Sequence, residues 1–177
     1  RSLKEQQDIF KQSLKDNGRT FTQQFVALPG KSEHQTGLAI DLGLKKESID
    51  FIRPDFPYIG ICQQFREKSV PYGFIERYPR EKEHITGIAH EPWHFRYVGT
   101  PHAEIMREHH FCLEEYIDFL KRFSQDQPYT FYKDSQEIQI FYLKADTESV
   151  SLEVAEDGSL SVSGNNVDGY IITEWRG

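Results

Sequence analysis

Two stretches of the sequence, SEHQTGLAID (residues 32–41) and EPWHFRYV (residues 91–98), combine strand-like composition with residue types that bind metals. GLAID predicts a short strand whose alternation can turn Asp41 into a cleft, and His34 lies in the turn before it. The aromatic and β-branched run WHFRYV predicts a second strand, which carries His94. Two histidines and one carboxylate leave a zinc position open for water, as hydrolysis requires. The sequence therefore predicts a small sheet that carries a zinc site.

Glu91 lies three residues before His94, a separation that would place both side chains on one face of a helix. The strand-like composition of the segment argues against a helix, so their convergence requires Glu91 at the mouth of the strand. Pro92 favours this arrangement, because it restricts the residue before it to an extended conformation. A carboxylate at this place can take the proton of a metal-activated water, and we predict that Glu91 is the general base.

Apolar periodicity around these stretches indicates helices and one further strand. Helices are predicted for residues 3–16, 61–70 and 101–123, and a strand for residues 73–78. Asn17-Gly18 is typical of a helix end, and we expect the first helix to stop there. The loop from about Lys45 to Cys62, rich in Pro, Asp and aromatic residues, is expected to border the pocket.

The pattern changes to a period of two beyond Pro128. Alternating apolar residues predict strands around Ile138–Tyr142, Val150–Val154 and Leu160–Val162, with a hairpin signal at Asp157-Gly158. We therefore predict a catalytic domain over residues 1–124, a linker over residues 125–128 and a small β-rich appendage over residues 129–177. Together with the helices, these strands indicate an α+β fold.

Composition limits the classes of function. The 177 residues carry a net charge of −7, which disfavours a nucleic-acid surface, and contain no apolar run long enough to span a membrane. Cys62 and Cys112 sit in no CxxC pair and are expected to be buried thiols. Because the sequence begins at Arg1 and its one methionine is Met106, we expect further chain upstream, which leaves a signal or anchor open. Oligomeric state is not indicated.

The two stretches resemble the signature of the D-alanyl-D-alanine metallopeptidases, whose fold is shared by lysostaphin-type enzymes and hedgehog signalling domains. The segments FVALPGKSEHQTGLAIDLGLKK, HITG and EPWHFRYVGTPH are similar in particular to vancomycin-resistance D,D-dipeptidase/D,D-carboxypeptidases of the VanXY type, from Arg1 to about Phe123. This resemblance implies a small antiparallel sheet flanked by helices, and Zn²⁺ as the cofactor. It also implies that the zinc ligands are His34, Asp41 and His94, with Glu91 as catalytic base.

The same resemblance implies three residues that act on the substrate. The opening RSLKEQ is similar to a family segment with a functional arginine, so Arg1 would hold the substrate or stabilise the oxyanion. Gln6 and Ser32 match positions near the substrate's C-terminal carboxylate. The alternatives are a frayed terminal charge for Arg1 and a turn or capping role for Ser32.

The implied function is hydrolysis of D-Ala-D-Ala or removal of the terminal D-Ala of peptidoglycan precursors, associated with glycopeptide resistance. A cytoplasmic location would follow, because the precursors are made there. A carboxypeptidase-only enzyme, or a related L,D-carboxypeptidase or endolysin, is a second interpretation. A zinc-stabilised binding module without turnover is a third, and Glu91 argues against it, because a purely structural site needs no spare base.

Overall fold

The computed structural model of the chain describes residues 1–145, 152 and 158–176. The chain divides into two compact units, Arg1–Leu113 and Glu114–Gly177. This division falls before the predicted linker at residues 125–128, part of which is a turn closed by a hydrogen bond from the Gln127 N–H to the Ser124 carbonyl (3.1 Å). The extents of the catalytic domain and the appendage stay predictions.

Helices and short antiparallel strands alternate in the first unit. Its helices are α1 (Leu3–Phe25), α2 (Gly60–Ser69), α3 (Glu83–Thr86) and α4 (His102–His109), and its strands are β1 (Ala39–Asp41), β2 (Phe74–Tyr78) and β3 (Glu91–Tyr97). Three short 3₁₀ helices cover Glu33–Thr36, Val70–Tyr72 and Arg80–Lys82. The mixture of helices and small antiparallel sheets confirms the predicted α+β class.

Helix α1 starts at a capping box, in which the side chains of Ser2 and Glu5 each accept a hydrogen bond from the other residue's backbone N–H. Helical geometry breaks at Gly18 (φ 78°, ψ 174°), close to the predicted end, but the chain then resumes a helix as far as Phe25. The buried hydroxyl groups of Ser13 and Thr22 lie 2.8 Å apart and join the two halves across this kink. The break confirms the predicted end of the first helical segment at Asn17-Gly18, whereas the second segment, as far as Phe25, was not predicted.

Strand β3 is the centre of a three-stranded antiparallel sheet with the order β1-β3-β2. Its middle residue Phe95 is fully buried, and its ring meets Phe65 and Phe56 edge-on at 5.0 and 5.6 Å between centroids. Trp93 and Cys62 belong to the same apolar cluster. This cluster lies under the sheet and supports the strand that carries His94 and Glu91.

The predicted helix over residues 101–123 is wrong as a single helix. Helix α4 ends where His110 adopts a left-handed conformation (φ 54°), and the chain starts again as α5 (Leu113–Leu120). The backbone N–H of His110 donates to the carbonyls of Arg107 and Met106, which closes the first helix. Apolar spacing continued through the break, so periodicity alone did not show it.

The second unit contains a four-stranded antiparallel sheet, which confirms that the C-terminal part is rich in strands. Its strands are β4 (Tyr129–Lys133), β5 (Gln136–Lys144), β6 (Ser159–Gly164) and β7 (Gly169–Arg176), in the order β4-β5-β7-β6. Ile138, Ile140 and Ile172 are buried at its centre. Val150, Val154 and Asp157, on which part of the strand and hairpin prediction rests, lie outside the described residues.

Two predictions from composition can be compared with the structure. Cys62 and Cys112 are both buried thiols that form no disulfide with each other, as predicted. Within the described residues, no helix is both long enough and apolar enough to cross a membrane.

Candidate metal centre

The pairing of β1 with β3 brings two of the predicted ligands together. Asp41 lies directly opposite His94 in this antiparallel pair, although the two are 53 residues apart in sequence. Directly opposed residues place their side chains on the same face of a sheet. The Nδ1 atom of His94 is accordingly 2.8 Å from Oδ1 of Asp41.

His34 reaches the same point from the 3₁₀ turn that precedes β1. Gly37 ends this turn in the left-handed region (φ 75°), which glycine adopts without steric cost, and the chain then enters the strand. The Nε2 atom of His34 lies 3.1 Å from Oδ2 of Asp41. One potential ligand atom from each of His34, Asp41 and His94 therefore lies within 4.8 Å of the others.

This set of atoms fits a metal ion. Burial alone would raise the pKa of Asp41, but hydrogen bonds from His34 and His94 hold it well below its ordinary value. The carboxylate is therefore charged, and each of its oxygens faces an imidazole nitrogen. Two imidazoles and a carboxylate are ligands that zinc accepts, and three protein ligands leave a position open.

Glu91 is the first residue of β3 and is buried beside the three ligands. Regular strand alternation would turn it away from His94, but the β2–β3 register shifts between the Glu76–Phe95 and Tyr78–Glu91 pairs. Its Oε2 atom lies 3.9 Å from Nδ1 of His94. Burial, assisted by the charges of Asp41 and Glu33, raises the pKa of Glu91 to about 8 in the metal-free protein. This carboxyl can exchange a proton near neutral pH.

Arg1 lies beside the ligand set and lines the same cavity. Its Nη2 atom is 3.9 Å from Oδ2 of Asp41, and its Nη1 atom donates to Oε1 of Gln6 at 3.0 Å. Gln6 is fully buried and also donates from Nε2 to the carbonyl of Ala27 at 2.7 Å. Both ends of the Gln6 amide are thus engaged within the protein, and this engagement orients the Arg1 guanidinium.

Ser32 precedes the 3₁₀ turn and is buried. Its side chain makes no capping hydrogen bond, so the structure does not support the capping alternative. All seven predicted site residues line a single cavity of about 490 Å³: Arg1, Gln6, Ser32, His34, Asp41, Glu91 and His94. Their individual roles stay predictions, but the structure brings all of them together.

Apolar side chains form most of the rest of the cavity wall. Ile49, Phe51, Ile52 and Pro54 come from the loop before α2, which was predicted to border the pocket. Phe51 is 83% exposed at this wall. The cavity therefore combines a polar centre with a largely apolar rim, as small-molecule sites commonly do.

Three charged residues next to the ligands were missed by the sequence analysis. Glu33, which precedes His34, accepts from Nε of Arg77 at 2.8 Å and lies 3.2 Å from Nη1 of Arg96. Contacts with His94 and these arginines outweigh burial and lower the pKa of Glu33 to about 2. The one available signal was Arg96, two residues after His94 and so on the same strand face. No sequence signal pointed to Glu33 or Arg77.

His90, which immediately precedes Glu91, is engaged elsewhere. Its Nε2 atom lies 2.7 Å from the Tyr58 hydroxyl and its Nδ1 atom 3.2 Å from Nη2 of Arg80. In the part of the chain that the structure describes, His34, Asp41 and His94 are the group that can hold a metal.

Comparisons with known proteins show which family the chain resembles in sequence and fold. The sequence profile of VanY, D-alanyl-D-alanine carboxypeptidase, matches residues 1–100. The chain is 54% identical over 121 residues to the bifunctional D-Ala-D-Ala dipeptidase and D-Ala-D-Ala carboxypeptidase VanXYC of Enterococcus gallinarum. That match covers 68% of this chain and 64% of the relative, so the chain spans less than two thirds of that protein's length.

Two solved structures are also similar. The vancomycin-resistance D,D-dipeptidase VanXYg, in complex with a D-Ala-D-Ala phosphinate analogue, superposes with a TM-score of 0.96 at 56% identity, over 99% of this chain and 70% of that one. A point mutant of the D,D-pentapeptidase VanY from a VanB-type resistance cassette, in complex with Zn(II), gives a TM-score of 0.54 at 34% identity, over 66% and 67% of the two chains.

Proposed function

The chain belongs to the VanY family of D-alanyl-D-alanine carboxypeptidases, and we propose that it is a zinc-dependent D,D-peptidase associated with vancomycin resistance. It would hydrolyse free D-Ala-D-Ala and remove the terminal D-Ala of peptidoglycan precursors. The observation that carries this proposal is the open ligand set of His34, Asp41 and His94 with the buried carboxyl of Glu91 beside it in one cavity.

The proposed metal is zinc, held by His34, Asp41 and His94. The complex of a VanY relative with Zn(II) supports this choice. When bound, zinc would act as a Lewis acid on the scissile carbonyl and on the attacking water.

The proposed chemistry assigns the proton to Glu91. Its carboxylate accepts a proton from the water as the water oxygen bonds to the carbonyl carbon of the scissile peptide. The same carboxyl then gives a proton to the amine of the leaving D-Ala as the C–N bond breaks. The guanidinium of Arg1, oriented by Gln6, stabilises the negative charge that develops on the carbonyl oxygen.

The proposed substrate is a peptide that ends in D-Ala-D-Ala. The analogue bound by VanXYg, which matches almost the whole chain, supports this substrate class. Ser32 and Gln6 line the cavity and are the proposed contacts for the free carboxylate of the terminal D-Ala, Gln6 through the Nε2 hydrogen that it does not donate to Ala27. A cytoplasmic location is part of the proposal, because the precursors are made there, and cell fractionation with an antibody against the chain would test it.

The other functions have less support. A carboxypeptidase-only or L,D-specific enzyme would share the metal ligands and differ in the wall of the cavity, yet the VanXY-type relatives are more similar to this chain than the VanY structure is. A binding module without turnover needs no base, whereas Glu91 is buried at 3.9 Å from a ligand.

The test is D-Ala release from D-Ala-D-Ala and from a precursor pentapeptide, measured with bound zinc quantified in the same samples. The wild type should release D-Ala from both peptides, and Glu91→Ala should retain zinc while its rate falls by about 10²–10⁴-fold, because general-base catalysis is lost. Chelated protein should be inactive and should recover on addition of Zn²⁺. Full activity in the zinc-free protein would overturn the proposal, and full activity of zinc-loaded Glu91→Ala would remove the role of Glu91.

A further inference from the structure

The two oxygens of the Glu33 carboxylate have different surroundings. Oε1 is held by Arg77 and Arg96, whereas Oε2 is buried and has no hydrogen-bond partner among the described residues. The Nε2 atom of His94 is in the same condition, and the two atoms face each other at 3.6 Å. An unpaired buried polar atom is costly, so two of them facing each other require an explanation.

The chemistry of imidazole supplies one. A neutral imidazole that binds a metal through one nitrogen carries its proton on the other. In His94, Nδ1 points to Asp41 and Nε2 points to Glu33. If Nδ1 is the ligand atom, the Nε2–H group is directed at the free oxygen of Glu33.

We propose that Glu33 is a positioning residue, whose carboxylate accepts the Nε2–H of His94 and so fixes the tautomer and the ring orientation in which Nδ1 binds the metal. This inference rests on the proposed metal site and deepens it. In this role Glu33 does not bind the metal, and it acts on the metal through His94.

The surroundings of Glu33 hold the carboxylate rigidly. Arg77 and Arg96 are both buried and come from neighbouring strands, so the carboxylate is fixed from two directions. The Arg77 guanidinium also lies 4.7 Å from the ring centre of Tyr78, and that ring lies 5.1 Å from the ring of His94. The imidazole is thus held at its edge by a carboxylate and at its face by an aromatic ring.

A second ion pair, between helix α2 and strand β2, shows what a purely structural arrangement looks like. Arg66 and Glu76 meet at 2.9 Å with side-chain exposures of 8% and 16%, the same values as for Arg77 and Glu33. In Glu76, however, both oxygens are used, because Oε2 accepts from Arg66 and Oε1 accepts from the Tyr58 hydroxyl. Burial of an Arg–Glu pair therefore does not by itself leave one carboxylate oxygen without a hydrogen bond. The position of Glu33 Oε2 opposite His94 Nε2 suits it to accept the Nε2–H of His94.

The experiment measures the dissociation constant for Zn²⁺ by competition with a chromophoric chelator. Glu33→Ala should bind Zn²⁺ about 10–100-fold more weakly than the wild type, the usual effect of losing such a partner. Glu33→Gln should lose less, because its amide oxygen can still accept. The matched control Glu76→Gln, which removes an equally buried charge away from the ligands, should stay within about twofold.

A spectroscopic measurement needs no substitution and separates positioning from mere folding. In ¹⁵N-histidine spectra of the zinc-loaded wild type, His94 should carry its proton on Nε2, and this proton should exchange slowly with solvent. In Glu33→Gln the Nε2 proton should exchange faster while the circular dichroism spectrum is unchanged.

Three outcomes distinguish the possible failures. A His94 proton on Nδ1 in the zinc-loaded wild type would overturn the role of Glu33, and this outcome is decisive even if Glu33→Ala does not fold. Zinc affinity of Glu33→Ala within twofold of wild type would overturn it as well. Failure of the wild type to bind Zn²⁺ at all would instead overturn the proposed function.

Discussion

The two sheets of this molecule differ in the regularity of their strand pairing and in the side chains that they bury. The β5–β7 pair runs without interruption from Glu137 opposite Arg176 to Lys144 opposite Gly169. Its centre buries aliphatic side chains, and its buried acid, Glu174, is paired with the neighbouring Arg176. Strand β3 of the other sheet buries Glu91, His94 and Arg96, and its register with β2 shifts. Regular pairing with an apolar face stabilises a fold, whereas the shift and the buried charges serve the cavity.

The buried charges of the β1-β3-β2 sheet carry an energetic cost. Buried charges are costly unless each one is paired, and the β1-β3-β2 sheet pairs Arg77 and Arg96 with the single carboxylate of Glu33. Among the described residues, the buried side-chain atoms left without a hydrogen bond lie at the metal centre. Buried polar atoms without a hydrogen bond are thus found at the candidate metal centre, and none is found in the described part of the β4-β5-β7-β6 sheet.

The largest effects are expected when a core side chain is removed from each sheet, because only one of the two sheets carries the candidate metal ligands. Phe95→Ala should lower the free energy of unfolding by about 3–5 kcal/mol and weaken Zn²⁺ binding, because Phe95 fixes the strand segment between His94 and Arg96. Ile172→Ala, in the other sheet, should cost about 2–5 kcal/mol and leave the zinc affinity unchanged. Denaturant unfolding and chelator competition measure the two quantities. Equal weakening of zinc binding by both variants would contradict the separation.

The stability of the metal-free protein should depend on pH because of the buried titratable groups of the β1-β3-β2 sheet. The pKa of Glu91 is raised from 4.5 to about 8, so the unfolded chain releases this proton first and stability falls as pH rises between these values. The pKa of His94, raised to about 9 by Asp41 and Glu33 against the effect of burial, adds a fall between pH 6.5 and 9. Glu91→Gln should remove the first part and gain a few kcal/mol at pH 8, since one pKa unit is worth about 1.4 kcal/mol.

Thermal or urea unfolding of the metal-free wild type and Glu91→Gln at pH 5, 6.5 and 8 would test this expectation. The two proteins should differ little at pH 5 and most at pH 8. If the free energies of unfolding of the two proteins stayed parallel over this pH range, the pKa of Glu91 would not be raised by its burial.

The smallest effect is expected at the edge of the second sheet. Val162 lies on the edge strand β6 and is 54% exposed, so Val162→Thr should change the unfolding free energy by no more than about 0.5 kcal/mol. Zinc affinity and D-Ala release should equal those of the wild type. A larger loss of stability in urea unfolding would show that this face is covered in solution.

Much of the fold was predictable because local patterns specify local elements. The strand at Asp41, the strand from Glu91 and the helix after Gly60 all follow from composition and period. The helix predicted over residues 101–123 failed, because the left-handed conformation of His110 interrupts a continuous apolar pattern. Periodicity reports which face is apolar, and it is insensitive to one residue with unusual dihedral angles.

By itself the sequence determined the residue types of the centre, since His34, Asp41, Glu91 and His94 stand in segments whose spacing suits a metal and a base. Only the tertiary structure decided the contacts: the pairing of Asp41 with His94, and the direction of Glu33 towards His94. The physical reason is that a side chain's partners depend on the register between segments far apart in the chain. That register is set by the packing of the whole sheet.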